Sequence, residues 1–246
     1  MYSFRATAGL VDLAFTDRYG GVSLAPYAEL NLAVNGSDSP EAKAENHRLL
    51  MADFADGAPY ADLYQVHGNA VVDAGRSGAR DNPAKCGTRP EADGIVTTER
   101  DLVLLVRTAD CVPVLFADEA AGVIGAAHAG RKGMAAGVVP ETIARMRALG
   151  ATRISAWVGP HVCGKCYEVP AEMQEEIAAA EPAARATTSW GTPSLDVGAG
   201  VLAQLAREGV EAVDAGRCTR ESEDLYSYRR DGAGMSLGAL IRLRGA

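Results

Sequence analysis

Three residues stand where side-chain chemistry and an accessible backbone meet: His67 in "QVHG", Cys111 in "TADCVPV" and His128 in "AHAG". Each histidine is followed closely by a glycine, whose missing Cβ lets a ligand approach the main chain. Two imidazoles and one thiolate match the ligand set of a catalytic zinc site that keeps its fourth position open. Each residue also has a plainer role, because histidines at strand ends are commonplace and unpaired cysteine is among the most buried residue types. Spacing alone does not make the three converge.

The elements around them give that convergence a basis. "ADLYQVHGNAVVDA" alternates apolar and polar residues on both sides of His67, as two strand segments around a turn or bulge would. "DLVLLVRTADCVPVLFAD" is the strongest strand signal, two apolar runs broken at Thr108-Ala109-Asp110-Cys111, and "GVIGAAHAG" follows after a short turn. A hairpin between these last two runs returns His128 to the neighbourhood of Cys111. Two further histidines are His161 and His47, and His47 falls inside the helix predicted from "SDSPEAKAENHRLLMADFA", with Ser39 as N-cap and Pro40 in the first turn; it reads as a surface or packing residue. Further helices are expected over "VPETIARMRALG", "PAEMQEEIAAAEP" and "LDVGAGVLAQLAREGV", with strands at "RISAWVGP" and "EAVDAG" and one or two closing strands in "DLYSYRRDGAGMSLGALIRL". Residues 74 to 92, rich in Gly, Pro and charge, read as a long loop. Mixed strands and helices without repeats or a linker imply an α/β or α+β fold in a single domain over residues 1 to 246.

"GPHVCGKCYEV" offers a rival metal motif, placing His161, Cys163 and Cys166 within six residues. A structural zinc site needs a second ligand pair, none lies nearby in sequence, and Cys86 and Cys218 would have to serve as scattered partners. The zinc-deaminase signature joins H-x-E to P-C-x-x-C, whereas His161 here is followed by Val162 and Cys163. No nucleophile elbow, Walker loop or dinucleotide fingerprint occurs. Two cationic pairs, Arg131 with Lys132 after "HAG" and Arg229 with Arg230 in "YSYRRDG", suit a phosphate or an ordinary solvated turn.

The bulk numbers narrow the partners. With 48% hydrophobic and 23% charged residues, the chain has the makings of an ordinary globular core. A net charge of −8 repels nucleic acid and anionic membranes, so an anionic substrate needs a local cationic patch. The start, "MYSFRATAGLVDLAFTDR", lacks a signal-peptide pattern, no apolar run approaches the roughly 20 residues of a membrane span, and five cysteines do not make a disulfide framework. A cytoplasmic protein, monomeric or weakly dimeric, is expected.

Taken in order, "GGVSLAPYAELNL", "AENHR", "QVHG", "EADGIVT", "TADCVPVL", "AAHAGRKG", "GPHVCGKCYEV", "RCT" and "YSYRRDG" resemble the laccase-domain family, also called the multicopper polyphenol oxidase or YfiH-like family, whose members are often described as purine nucleoside phosphorylases. The resemblance spans nearly the whole chain. It implies a mixed-sheet sandwich with flanking helices and a zinc site at His67, Cys111 and His128, with Cys111 and a water activated by the metal as the catalytic groups. It implies phosphorolysis of adenosine, inosine, guanosine and methylthioadenosine, and adenosine deamination; the alternatives are copper-dependent oxidation of phenols and editing of peptidoglycan precursors. The family-like motifs add Arg18, Asn46, Gln65 and Arg229 as substrate contacts, although Asn46 is equally a helix residue and Gln65 a strand-face one. Phosphate falls to Arg131 and Lys132, which stand where the family commonly has Trp-Arg, and the cysteine pair of "GPHVCGKCYEV" is not a fixed family feature. His161, Cys163 and Cys166 are left to line the pocket, to pair as a reversible disulfide, or to do neither.

Overall fold

The N-terminal residues "YSFRATAGLVDLAFT" form a hairpin, β1 (Tyr2–Ala8) and β2 (Val11–Thr16), which turns at Gly9 with φ 59°. The computed structural model describes residues 1–76 and 89–245. Most of the loop predicted over 74 to 92 lies outside the described residues, as does Cys86. The first helix, α1 (Pro40–Ala55), starts as its residues predict: the Ser39 side chain accepts from the backbone N–H of Ala42 and Pro40 occupies the first turn. Then follow β3 (Tyr60–Asp62), β4 (Val71–Asp73), β5 (Gly94–Thr97), β6 (Val103–Thr108), β7 (Val112–Asp118) and β8 (Val123–Ala129). The second half adds α2 (Arg131–Ala135), α3 (Val138–Ala148), β9 (Ser155–Val158), α4 (Ala171–Ala180), β10 (Arg185–Thr187), β11 (Pro193–Leu195), α5 (Val197–Arg207), β12 (Glu211–Asp214), α6 (Tyr228–Asp231) and β13 (Leu237–Leu243).

Two mixed sheets carry the architecture. One has the order β1-β2-β13-β6-β3, the other β12-β9-β7-β8-β5-β4, and a two-stranded β10-β11 ribbon stands apart. The predicted hairpin is β7 with β8, antiparallel, with Val112 opposite Ala129 and Pro113 opposite His128. The two apolar runs around Cys111 belong to different sheets: β6 pairs with β13 and β3, β7 with β8 and β9. Ala109, Asp110 and Cys111 therefore form a crossing between sheets, and Asp110 makes the turn with φ 85°.

Alternation along the strands shows what each face meets. In β6, Leu104 and Val106 join a cluster with Leu13, Phe15, Leu115, Ile124 and Ile241, packed between the two sheets. Val103 and Leu105 point the other way, to Leu50, Met51 and Phe54 of α1. On the far side of the second sheet, Val112, Val114 and Phe116 pack with Met134, Ile143, Ile177 and Val201 of α2 to α5. The result is a sandwich with helices on both outer faces, in which each fully buried large apolar side chain contributes roughly 1.5–3 kcal/mol. The tail differs in part from expectation: "YRRD" is a short helix, held by a Ser227 cap to the N–H of Arg230, and only the segment after it becomes a strand, inserted between β2 and β6.

Candidate metal centre and cleft

Three links meet at one end of the sandwich. The β3-to-β4 link carries His67 and the β6-to-β7 link carries Cys111, each passing from the first sheet to the second, while His128 lies one residue before the end of β8. One potential ligand atom from each of His67, Cys111 and His128 falls within 4.8 Å of the others. The two imidazole rings stand edge to face with centroids 4.8 Å apart. His128 is buried, Cys111 is partly buried and His67 is exposed.

Asp93, just before β5, fixes this arrangement and is not among the residues singled out for chemistry from the sequence. Its buried carboxylate lies 2.7 Å from His128 Nδ1 and accepts the backbone N–H groups of Val66, His67 and Gly68 at 3.2, 3.0 and 2.7 Å. An Nδ1–H donated to Asp93 leaves Nε2 of His128 as the lone-pair nitrogen, the carboxylate–histidine pairing common behind metal ligands. The same carboxylate holds the turn at His67, whose φ of 61° is left-handed without being glycine. Asp93 was visible in the sequence only as part of "EADGIVT"; the link from its carboxylate to two ligand segments is a contact between residues 25 to 35 apart.

Electrostatics follow from the crowding. Burial pushes the Asp93 carboxyl up, but the His128 and amide hydrogen bonds outweigh it and hold it below the ordinary carboxylate value. Burial likewise opposes charge on Cys111 and His128, yet their mutual attraction, with His67 beside the thiol and Asp93 behind the ring, lowers the thiol and raises the imidazole. A thiolate is thereby favoured, which is the form that binds a metal, whereas the same pairing favours a protonated His128 that must release its Nε2 proton when an ion binds. The two histidines and one thiolate fit a zinc or another borderline divalent ion, and space is reserved beside them: a Cβ on Gly130 would stand 2.6 Å from the His67 ring and 3.1 Å from the Cys111 sulfur.

The group lies on the wall of a cleft of about 770 Å³. Arg131 and Lys132, at the start of α2, reach this cleft, as do Gln65 and Arg229. Arg229 is anchored by its backbone N–H to Asp110, and its guanidinium lies 4.6 Å from the centre of the Tyr167 ring while donating to the carbonyl of Glu168. Gln65 enters as wall more than as donor, because its amide donates to the Arg107 carbonyl at 2.7 Å and accepts the Arg107 N–H at 2.9 Å. Arg107, which sequence reasoning passed over, lines the cleft from a buried position; its other guanidinium nitrogens meet Leu32, His47 and Asp62, and Nη1 has no partner among the described residues. A lone arginine in an apolar strand carries no sequence signal for this.

Two expected contacts lie elsewhere. Asn46 is fully buried and bridges Ser23 and the carbonyls of Glu29 and Asn31 while accepting the N–H of Val22, so it ties α1 to the preceding loop. Arg18 is absent from the cleft wall; it donates to the carbonyls of Ala28 and Glu223 and lies over the Tyr226 ring. Neither lines the cleft. Of "GPHVCGKCYEV", Val162 and Tyr167 reach the cleft, while His161 is turned onto the Gly159 carbonyl and packed against Gly198 and Gly216. Cys163 and Cys166 are free thiols outside the cleft wall.

Comparison with known proteins assigns the class that this fold and site define. The family model described as multi-copper polyphenol oxidoreductase laccase matches residues 12–243, and the chain belongs to that family. A Streptomyces coelicolor protein named a purine nucleoside phosphorylase is 52% identical over 94% of this chain and 95% of its own length. The Escherichia coli purine nucleoside phosphorylase YfiH is 37% identical over 87% and 86% of the two chains. A crystal structure of a Neisseria meningitidis protein superposes with a TM-score of 0.84 at 34% identity, covering 98% of this chain and 99% of its own. The mixed-sheet sandwich is thus the fold of these relatives. Among the described residues no helix is long and apolar enough to cross a membrane.

Proposed function

We propose that the chain is a zinc-dependent purine nucleoside phosphorylase that also deaminates adenosine. The observation that carries the reading is the His67, Cys111 and His128 group opening into a cleft edged by cations, in a chain whose relatives are named for that reaction. In phosphorolysis a phosphate oxygen attacks ribose C1′, the bond to the purine nitrogen breaks with its electron pair going to the base, and ribose 1-phosphate is released. When bound, zinc supplies Lewis-acid charge at the open side of its three ligands. Arg131 and Lys132 hold the phosphate dianion, and the buried Arg107 behind the wall adds positive charge to that side of the cleft. Exposed Tyr64 and Tyr228, both on the cleft wall, give the purine aromatic faces, and Arg229 is steadied by Tyr167 to contact the sugar or base. Asp93 keeps His128 in the tautomer that binds metal. Copper chemistry on phenols is the weaker reading for this cleft, since one histidine–cysteine–histidine group makes a mononuclear site and multicopper clusters need many histidines.

The test is to incubate the metal-analysed protein with adenosine and inosine, with and without phosphate. Phosphate-dependent adenine or hypoxanthine with matching ribose 1-phosphate is expected, together with some inosine from adenosine. Zinc-loaded protein inert toward nucleosides, with copper-loaded protein oxidising a phenol, would overturn the reading.

A further inference from the structure

Cys163, Cys166, Cys218 and Glu221 come together away from the cleft, with ligand atoms from all four within 4.8 Å of one another. Cys218 and Glu221 supply the second pair that "CGKC" lacks in sequence. The two pairs are built alike. In Cys163-Gly-Lys-Cys166 the N–H of Cys166 donates to the Cys163 carbonyl at 2.9 Å, and in Cys218-Thr-Arg-Glu221 the N–H of Glu221 donates to the Cys218 carbonyl at 3.2 Å. In each, the next residue's N–H, of Tyr167 or Ser222, returns to that same carbonyl at 3.1 Å. Such knuckle turns present the first and fourth side chains on one side, the C-x-x-C spacing of structural zinc sites. The two turns are held face to face by a bridge in which His161 N–H donates to Arg217 and Thr219 N–H donates to His161, at 3.1 and 3.0 Å.

We propose that these four side chains form a second, structural metal site that takes a zinc ion, separate from the His67, Cys111 and His128 group. Three thiolates and a carboxylate give the closed four-ligand shell of a structural site, whereas the first group has three ligands and an open side. The shell leaves a net negative charge around a dication, and each turn carries a cation in its third position, Lys165 in one and Arg220 in the other. Arg220 also donates from Nη1 to the Cys166 carbonyl, binding one turn to the other. The ligand residues are only partly covered, with Cys166 buried and Glu221 exposed, so an ion has a path of entry. What the site would hold in place is the far wall of the cleft. Tyr167 follows Cys166 directly, and beyond Cys218 the hydroxyl of Thr219 and the N–H of Arg229 both donate to Asp110, at 2.6 and 2.7 Å, next to Cys111.

The experiment is metal analysis of the full chain, purified under reducing conditions without chelator, as wild type, Cys111→Ala, Glu221→Ala and the double variant Cys163→Ser with Cys166→Ser. About one zinc per chain beyond that lost in Cys111→Ala is expected to remain in that variant and to be lost in the cysteine double variant. Cobalt replacement reads the same site without relying on the double variant folding: Cys111→Ala should keep the intense near-ultraviolet thiolate-to-cobalt absorption of three sulfurs, and Glu221→Ala should bind cobalt more weakly in chelator competition. Metal retained by Cys111→Ala supports the second site even if the wild type proves to have no metal at the first. Cys111→Ala that holds no zinc and shows no thiolate–cobalt absorption overturns the proposal, as does a Cys163–Cys218 disulfide mapped in wild type freshly purified under the same reducing conditions.

Discussion

Asp93 holds two of the three ligand-bearing segments at once, and its substitution separates positioning from ligation. Asp93→Asn keeps the volume but replaces one acceptor oxygen by a donor, which faces the N–H groups of the 66–68 turn or the Nδ1–H of His128. Metal affinity is expected to fall by about 10- to 100-fold, the usual cost of losing such a partner, while Cys111→Ala or His128→Ala abolishes binding at this group; chelator competition distinguishes the two outcomes. Gly130→Ala acts by crowding alone, since Gly130 has an ordinary φ of −72° and its added Cβ would meet the His67 ring at 2.6 Å. It should weaken metal binding with little loss of thermal stability, measured on the metal-free chain. The three candidate ligands, His67, Cys111 and His128, were legible as residue types with a plausible chemistry. Asp93 and Arg107 were not, because a buried carboxylate behind a histidine and an unpaired guanidinium nitrogen are properties of contacts between distant residues.

The elements were legible where a local signal decides them. The Ser39 cap and Pro40 start α1, and the two apolar runs around a short turn make the β7–β8 hairpin. The β1–β2 hairpin escaped notice although "YSFRATA" alternates, since both of its ends are partly exposed and nothing in the run fixes a partner. The larger miss was the assignment of β6 and β7 to different sheets, because a strand's sequence records how buried it is and not which sheet buries it. That crossing is what places Cys111 beside both histidines, and Asp110 secures it by accepting from Thr219 and Arg229. Thr219→Val removes one buried hydrogen bond to a charged acceptor and should cost about 1.5–3 kcal/mol in urea unfolding. Because Arg229 rests on the same carboxylate, KM for the nucleoside should rise more than kcat falls, with the metal content at Cys111 unchanged.

Stability of the assembled sandwich is tied to the cleft through His47, which joins α1 to the first sheet. The ring is buried, its Nδ1–H donates to the Lys43 carbonyl at 2.8 Å, and Nε2 accepts from Arg107 at 3.2 Å, so the neutral form fits the site. Burial, reinforced by the Arg107 charge, lowers its pKa from 6.5 to about 3. The unfolded chain therefore binds a proton at His47 that the folded chain refuses between these values, and stability must fall as pH drops through that window. Above about pH 6.5 the contribution is complete; below it the loss approaches about 1.4 kcal/mol per pH unit. Asp62, held down to about 2 by Arg107 and Arg89 against the opposing effect of burial, keeps its own contribution until pH falls below the ordinary carboxylate range near 4. The interval from pH 6.5 to 4.5 is thus where His47 is set apart from Asp62. Urea unfolding of the wild type and His47→Gln across that interval should show a steep fall in the wild type and a shallower one in the variant, on top of a constant offset for the lost packing. Parallel curves would mean that His47 takes up its proton in the folded state, so that a neutral Nε2 accepting from Arg107 is not what holds that guanidinium beside Asp62.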